Sequence, residues 1–245
     1  MHYQMWIWSK FENVIAHFLI AMMEELIILY YVLFYMFLLM YYHYNNIISY
    51  KEVAYMGKIK LLHGSDHIIE KPDLLLGKTN NDYGRGFYCT QELSMAMEWA
   101  CKKNSDGFVN KYVLEQDSLN ILNLLDGKYN ILHWMALLLK NRTFRLSNEI
   151  AIDACDYIIE NFSIDLKAYD VIIGYRADDS YFSFAESFVQ NGLPLRSLNE
   201  ALHLGRLGTQ TVLISEKSFR NLTFDGADFA DKTVYYPKFI ARDSN

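Results

Sequence analysis

At 245 residues, the chain can hold one domain with a substantial hydrophobic core and an extension. Its formal net charge of -6 argues against a protein that binds nucleic acid by neutralising phosphates, although a local basic patch is compatible with that charge. The three cysteines form no C-x-x-C pair for zinc, so reduced thiols in the cytoplasm are expected.

The first 55 residues are much more apolar than the rest, and they allow two interpretations. Leu26–Tyr42 is almost wholly apolar and would span about 25 Å as a helix, just short of the hydrocarbon core of a bilayer. Residues 1–55 are therefore either a segment that anchors the protein through a membrane helix at 26–42, or an extension that precedes a working protein beginning at Met56. The segment lacks the cleavage site of a signal peptide.

Beyond Met56, short strand and helix patterns follow one another. Lys58–Leu62 predicts a first strand, and the chain can turn after it at His63-Gly64-Ser65. Residues 70–81 have the composition of a loop, with Pro72 and Gly77 among them. Such a loop could close over a neighbouring site.

Two glycines flank Arg85 immediately before a short aromatic strand, Phe87–Thr90. The next residues have helical spacing, with Thr90 as the predicted N-cap. Its predicted buried stripe consists of Leu93, Ala96, Met97 and Ala100. Trp99 lies off that stripe and can face a cleft, so Tyr88 and Trp99 either form opposite walls of one slot or are ordinary core aromatics.

The remaining elements are predicted from periodicity and turn residues. Strands are expected at 108–114, 120–125, 169–175 and 208–215, and helices at 129–140, 149–161, 181–190, 198–206 and 216–221. The chain from Asp225 onward is polar and is predicted to be irregular, with residues 231–245 as a tail.

Several short motifs then occur in a fixed order. They are Leu62-His63-Gly64-Ser65, Asp82–Thr90, Trp99-Ala100, Asn141-Arg142, Tyr169–Gly174, Asp178-Asp179 and Gln210. His63-Gly64-Ser65, Gly84–Tyr88 and Trp99 resemble the NAD-binding signature of the ADP-ribosyltransferase superfamily, in the branch marked by His, Tyr and a third acidic or amide residue. Residues 58–224 are more closely similar to a bacterial family of that superfamily, domain of unknown function 3990.

The resemblance implies a fold and a reaction. The fold would be α+β, with a split mixed β-sheet core of the ADP-ribosyltransferase type flanked by helices over residues 56–230, behind an apolar helical N-terminal extension. The reaction would transfer ADP-ribose from NAD to a macromolecular target and release nicotinamide, without a metal. Bacterial relatives are often toxins or effectors, so a cognate antitoxin is expected from the family alone.

The resemblance also assigns site residues. His63, Tyr88 and Gln210 would be catalytic. The residues that would bind NAD are His63, Gly64, Ser65, Arg85, Gly86, Tyr88 and Trp99. In this assignment His63 and Ser65 hydrogen-bond a ribose, and the backbone beside Gly64 holds the nicotinamide carboxamide. The rings of Tyr88 and Trp99 enclose the pyridinium, and Arg85 contacts the pyrophosphate.

Gln210 departs from the glutamate that many members of the superfamily have at this place. An amide keeps a hydrogen bond to the ribose, but it lacks the charge that stabilises a positive anomeric carbon. Three alternatives therefore stay open: transfer of single ADP-ribose units, hydrolysis of NAD, and a catalytically inactive module that binds NAD or docks a protein. Gln210 could also be a strand-edge amide bonded to backbone, and His63 a core histidine.

Overall fold

A computed structural model of the chain describes residues 34–36, 57–177, 179–204 and 208–243. The described elements form two β-sheets with helices packed against them, which confirms the predicted mixed α+β class. All of these residues except 34–36 belong to one unit that begins at Gly57.

The predicted apolar extension lies outside the described residues, apart from residues 34–36, which are helical with exposed side chains. None of the helices that the structure does describe is long and apolar enough to cross a bilayer. The two interpretations of residues 1–55 stay predictions.

Strands and helices are interspersed along the chain. The strands are β1 (Lys58–Ser65), β2 (Phe87–Cys89), β3 (Gly107–Glu115), β4 (Ile121–Asn123), β5 (Val171–Tyr175), β6 (Thr209–Leu213) and β7 (Leu222–Ala230). The helices are α1 (Leu93–Cys101), α2 (Ile131–Asn141), α3 (Glu149–Phe162), α4 (Asp179–Val189), α5 (Leu195–Leu204), α6 (Glu216–Arg220) and α7 (Lys232–Asp243). Short 3₁₀ turns lie at Leu74–Leu76 and Leu166–Ala168.

A backbone bridge links the two sheets, between Leu62 of β1 and Thr90, the residue that follows β2. The first sheet has the antiparallel order β1-β3-β7, and the second has the order β2-β6-β5-β4, in which β5 and β4 run parallel. Leu62 and Thr90 exchange backbone hydrogen bonds of 2.8 and 2.9 Å across the gap. This bridge holds the end of β1 beside β2, and it therefore brings His63 next to Tyr88.

Apolar side chains bury both faces of this arrangement, and their removal from water stabilises the fold. One cluster lies between the second sheet and the helices, a second lies between the sheets, and a third packs α1 against the first sheet. Representative members are Trp134, Met135 and Ile172 in the first cluster, Leu61 and Tyr112 in the second, and Ala96 and Val109 in the third.

Two predictions about where elements begin and end are wrong. The chain does not turn at His63-Gly64-Ser65, because pairing with β3 continues β1 through Ser65. Thr90 does not cap α1, which begins at Leu93. Its hydroxyl oxygen instead accepts a 3.1 Å hydrogen bond from the Glu92 backbone N–H, and Leu93 is 49% exposed rather than buried.

The predicted irregular tail is also wrong. Residues 225–230 complete β7, and Lys232–Asp243 forms α7, which packs against α1. The polar composition of β7 does not indicate a strand. The strand forms because its backbone is hydrogen-bonded to β3. Gly226, at φ +104°, lies where the register between the two strands shifts, a conformation that glycine adopts at little cost.

Asp170 joins three elements through one carboxylate. It accepts hydrogen bonds from the Asn120 backbone N–H (2.9 Å) and the Ser215 hydroxyl (2.6 Å), and Lys217 Nζ lies 3.4 Å away. Burial by itself raises the pKa of Asp170, but these donors outweigh it and leave that pKa below its ordinary value.

We expect Asp170→Asn to lower the unfolding free energy at pH 7 by about 1–3 kcal/mol. Because the folded pKa lies below the unfolded one, the stabilisation is present above about pH 4 and is lost as the pH falls through the folded pKa. Urea unfolding of variant and wild type should therefore converge in acid. Asp153→Asn, at an exposed position of α3, is the control; a difference for Asp170→Asn that does not change with pH would contradict this interpretation.

Candidate functional site

A cleft of about 530 Å³ is lined by residues from widely separated parts of the chain. Of the residues predicted for the site, His63, Gly64, Gly86, Tyr88, Trp99 and Gln210 all line it. Ser65 and Arg85 are not among the lining residues. Phe239 of α7, from the segment predicted as a tail, contributes to the same wall.

His63 lies at the cleft as a neutral imidazole. Its Nδ1 is 2.7 Å from the Tyr88 carbonyl oxygen, and because a carbonyl can only accept, Nδ1 carries the proton and donates. Burial lowers the pKa of His63 to about 4, so Nε2 is unprotonated at neutral pH. The ring also packs on Phe87, with 4.4 Å between centroids. His63 can therefore accept a hydrogen bond from a ligand hydroxyl.

Asn110 of β3 holds the segment that follows His63. Its buried amide nitrogen donates to Ser65 Oγ (3.0 Å) and to the His67 carbonyl (3.2 Å), while its Oδ1 accepts from the Ile69 backbone N–H (2.7 Å). The Ser65 hydroxyl in turn donates to the His67 carbonyl. Ser65, predicted to bind a ribose, is thus the last residue of β1, and its hydroxyl is bonded to Asn110 and to the segment that follows the strand.

Tyr88 presents its ring to the cleft while its hydroxyl is engaged elsewhere. That hydroxyl donates to the Gly84 carbonyl (2.7 Å) and accepts from the Tyr83 backbone N–H (3.0 Å). Gly84 has φ +77°, and a Cβ on Gly86 would lie 2.6 Å from a methyl carbon of Val212. Both glycines therefore pack inward, and Arg85 between them is exposed.

Trp99 lies on the cleft wall, as its place off the buried stripe of α1 predicts. The Arg176 guanidinium carbon is 5.6 Å from the centroid of the Trp99 ring, in a cation–π contact. Lys78 and Lys102 line the same cleft. Burial lowers the pKa of Lys102, and the neighbouring charges of Lys78, Lys103 and Arg176 lower it further. This end of the cleft is therefore electropositive, in a chain whose net charge is negative.

Gln210 is buried at the base of the cleft and contacts a carboxylate. Its Nε2 donates to Asp82 Oδ2 (3.1 Å) and to the Tyr175 carbonyl (3.3 Å). Asp82 Oδ2 also accepts from the Ala177 backbone N–H (2.9 Å), and Oδ1 accepts from Arg142 Nη1 (2.8 Å). Burial raises the pKa of Asp82 in spite of these donors. The amide is thus bonded partly to backbone, as one alternative predicted, and partly to an acidic side chain.

The Tyr175 carbonyl ties Gln210 to the core. It also accepts hydrogen bonds from the Tyr83 hydroxyl (2.7 Å) and from Trp134 Nε1 (3.2 Å). A Cβ on Gly174 would lie 2.2 Å from the Tyr83 hydroxyl oxygen, so a larger residue at this position would displace that ring. The end of β5 is therefore fixed beside the cleft.

Sequence reasoning did not assign Asp82, Lys102, Arg142 or Arg176 to the site. Asp82 and Arg142 do occur in the motifs quoted above, where Arg142 follows Asn141. The Asn141 side chain donates to the Asp82 carbonyl, so these two motifs lie side by side in the fold, and both Asp82 and Arg142 line the cleft. Their presence in the motifs was the signal that the sequence offered. Lys102 and Arg176 carry no motif. From the sequence alone, a lysine or arginine outside a motif cannot be distinguished from an ordinary surface charge. Only the fold shows that these two line the same cleft.

Thiol and metal chemistry are the remaining possibilities for a catalytic site. Cys89 is fully buried, and burial raises the pKa of its thiol far above the ordinary value, so this thiol is a core side chain rather than a nucleophile. Within the part of the chain that the structure describes, no three His, Cys, Asp or Glu side chains are grouped as ligands for a metal ion.

Comparison with known proteins gave one match. The family model described as "Protein of unknown function (DUF3990)" matches residues 59–224. No curated protein and no solved structure matches the chain. The matched range runs from β1 into β7 and includes every residue predicted for the site.

Proposed function

The chain belongs to the DUF3990 family, and we propose that it is an NAD-dependent mono-ADP-ribosyltransferase with a fold of the ADP-ribosyltransferase type. It transfers ADP-ribose from NAD to a macromolecule and releases nicotinamide. The observation that carries this proposal is the meeting of His63, Tyr88, Trp99 and Gln210 in one cleft. A cleft of about 530 Å³ is also within the usual range for small-molecule and cofactor sites.

The chemistry asks the protein mainly to position NAD and to stabilise charge. Nicotinamide leaves as a neutral molecule, and the ribose that remains has oxocarbenium character. His63 Nε2 accepts a hydrogen bond from a ribose hydroxyl, and Gln210 holds the ribose near the bond that breaks. The rings of Tyr88 and Trp99 contact the pyridinium, each worth about 0.5–2 kcal/mol when water is excluded.

The pyrophosphate of NAD binds at the electropositive end of the cleft, on Lys78, Lys102 and Arg176. These three cations line the cleft, whereas Arg85, the residue first assigned to the pyrophosphate, does not. Arg176 also lies over Trp99, so a nicotinamide ring on that face of the indole would have to displace it.

We expect Arg176→Ala and Lys102→Ala each to raise the Kd for NAD about tenfold, because a charge-assisted hydrogen bond to phosphate contributes about 1.5–3 kcal/mol. Arg85→Ala is the matched control and should leave the Kd within about twofold of wild type. Calorimetric titration with NAD measures all three. An equal loss in Arg85→Ala would contradict the placement of the pyrophosphate.

Incubation of the purified full chain with NAD and a bacterial lysate tests the function itself. Nicotinamide release together with a macromolecule that carries label from the adenylate moiety supports transfer. Free ADP-ribose without a labelled macromolecule would indicate an NAD glycohydrolase. NAD binding without nicotinamide release would indicate the catalytically inactive module.

The same proposal extends to biological role and partners. A toxin- or effector-like transferase should arrest bacterial growth when it is expressed alone, and a cognate antitoxin should relieve the arrest. His63→Ala should abolish the arrest if it depends on NAD chemistry. Fractionation of the full chain would show whether residues 26–42 anchor it to a membrane.

A further inference from the structure

The orientation of the Gln210 amide is determined by its neighbours. Its Nε2 faces Asp82 Oδ2 at 3.1 Å and the Tyr175 carbonyl at 3.3 Å. Both neighbours are acceptors, so turning the amide over would place Oε1 against two acceptors and lose both hydrogen bonds. The amide oxygen of Gln210 therefore points away from Asp82 and Tyr175.

Asp82 is a carboxylate in this arrangement. Burial raises the pKa of Asp82, but the Arg142 guanidinium donates to Oδ1 and both the Ala177 backbone N–H and Gln210 donate to Oδ2, and these three donors favour the ionised form. The residue is 6% exposed and lines the cleft. Among the described residues that line the cleft, Asp73 also carries a carboxylate, which accepts from the Leu75 backbone N–H on an exposed loop. Asp82 thus places a buried negative charge directly beside Gln210.

Resting on the proposed function, we propose that Asp82 is a positioning residue for NAD cleavage. It holds Gln210 with the amide oxygen directed to the ribose, and its charge makes that oxygen a better acceptor. When the bond between the anomeric carbon and the pyridinium nitrogen breaks, the electron pair leaves with nicotinamide. The positive ribose then faces the amide oxygen of Gln210, which is made more negative by the Asp82 carboxylate behind it. An acceptor attacks the anomeric carbon and loses its proton.

Four proteins test this proposal through nicotinamide release: wild type, Asp82→Asn, Gln210→Glu and the double variant that exchanges the two groups. In Asp82→Asn we expect kcat to fall about tenfold or more while KM for NAD changes less than about threefold, since the interaction acts in the transition state. Asp153→Asn, a surface carboxylate, is the control for loss of charge. Unchanged kcat in Asp82→Asn would overturn the proposal.

The pH profile gives a readout that a purely structural role would not change. In Gln210→Glu two carboxylates face each other, so one of them has a raised pKa and the hydrogen bond between them survives only while that group is protonated. Above that pKa the two carboxylates repel each other, and the carboxylate at residue 210 is no longer held towards the ribose that its charge would stabilise. Activity should therefore fall as the pH rises through that pKa. In the exchanged double variant residue 82 can again donate to residue 210, although the Ala177 N–H loses its acceptor and the Tyr175 carbonyl loses one donor. The double variant should therefore lack this alkaline limb and exceed Gln210→Glu at least about twofold at high pH.

The same proteins separate a failure of this inference from a failure of the proposed function. If wild type releases no nicotinamide, the proposed function fails, and urea unfolding still tests the pair. The exchange should then restore part of the midpoint that Gln210→Glu loses above its raised pKa. If the changes in activity and in stability of the double variant equal the sums of those in Asp82→Asn and Gln210→Glu, the positioning role would be overturned. If Asp82→Asn does not fold alone, folding of the double variant is itself the expected rescue, and its failure to fold counts against the pair.

Discussion

Replacing His63 with alanine should reduce nicotinamide release from NAD by about 100-fold or more while the domain remains folded. The neutral ring holds a ribose hydroxyl in place, and a misplaced substrate commonly costs about this much in rate. The variant loses the 2.7 Å bond to the Tyr88 carbonyl and the contact with Phe87, so the unfolding free energy should fall by about 1–3 kcal/mol. Chromatographic measurement of nicotinamide, with a thermal melt of the same sample, tests both effects.

His133→Ala is the matched control for this substitution. His133 also packs against aromatic rings, with centroids 5.2 Å from Tyr129 and 5.4 Å from Phe162, and it belongs to the capping box of α2. Its loss should cost comparable stability without loss of turnover. Wild-type turnover in His63→Ala, or an equal loss in His133→Ala, would show that His63 has no role in the reaction.

Replacing Gly64 with alanine should destabilise the fold by about 3 kcal/mol or more, or prevent folding. A Cβ at this position would lie 2.0 Å from the Ala96 carbonyl oxygen and 2.6 Å from the Ala100 nitrogen, both of them backbone atoms of α1. The helix cannot relax by moving a side chain, so it must move away from β1. Urea unfolding of the variant measures this cost.

Gly127→Ala separates crowding from backbone strain. Gly127 has φ +82°, and nothing lies within 4 Å of a Cβ at that position, so its replacement should cost only about 1 kcal/mol of strain. A loss in Gly64→Ala no larger than that in Gly127→Ala would contradict the packing interpretation. The resemblance assigns the backbone beside Gly64 to the nicotinamide carboxamide, and close approach of α1 is a second reason for glycine at this position.

Elements whose patterns are local could be predicted from the sequence. The strand predicted at 169–175 holds a continuous apolar run from Val171 to Ile173, and α2 carries a helical stripe, so each can be recognised without knowing what packs against it. The second half of β7 could not be predicted in this way, because its aspartates and glycine resemble a loop. Its strand conformation depends on pairing with β3, a partner distant in the chain.

The candidate site, too, could be predicted from the sequence only in part. Motifs were sufficient to select His63, Tyr88, Trp99 and Gln210, which the fold brings into one cleft. They were not sufficient for the charges that surround these residues. Asp82 pairs with Arg142 only because α2 ends beside the Gly84 turn, and Arg176 approaches Trp99 only because β5 ends beside α1. Such pairs depend on tertiary packing and leave no spacing in the sequence.

Arg85 shows what a motif alone leaves open. The resemblance assigns it to the pyrophosphate, but it is not among the residues that line the cleft, and the glycines on either side of it are packed closely against other parts of the fold. The side chain between them is exposed as a consequence.

The central claim is that NAD occupies this cleft, and hydrogen–deuterium exchange of the full chain with and without NAD tests it independently of turnover. We predict slower exchange in peptides that cover 63–69, 84–90, 99–103 and 174–177, with ADP-ribose giving less protection than NAD around Tyr88 and Trp99. Exchange that is unchanged in all four segments at saturating NAD, or protection confined to other parts of the chain, would contradict the claim.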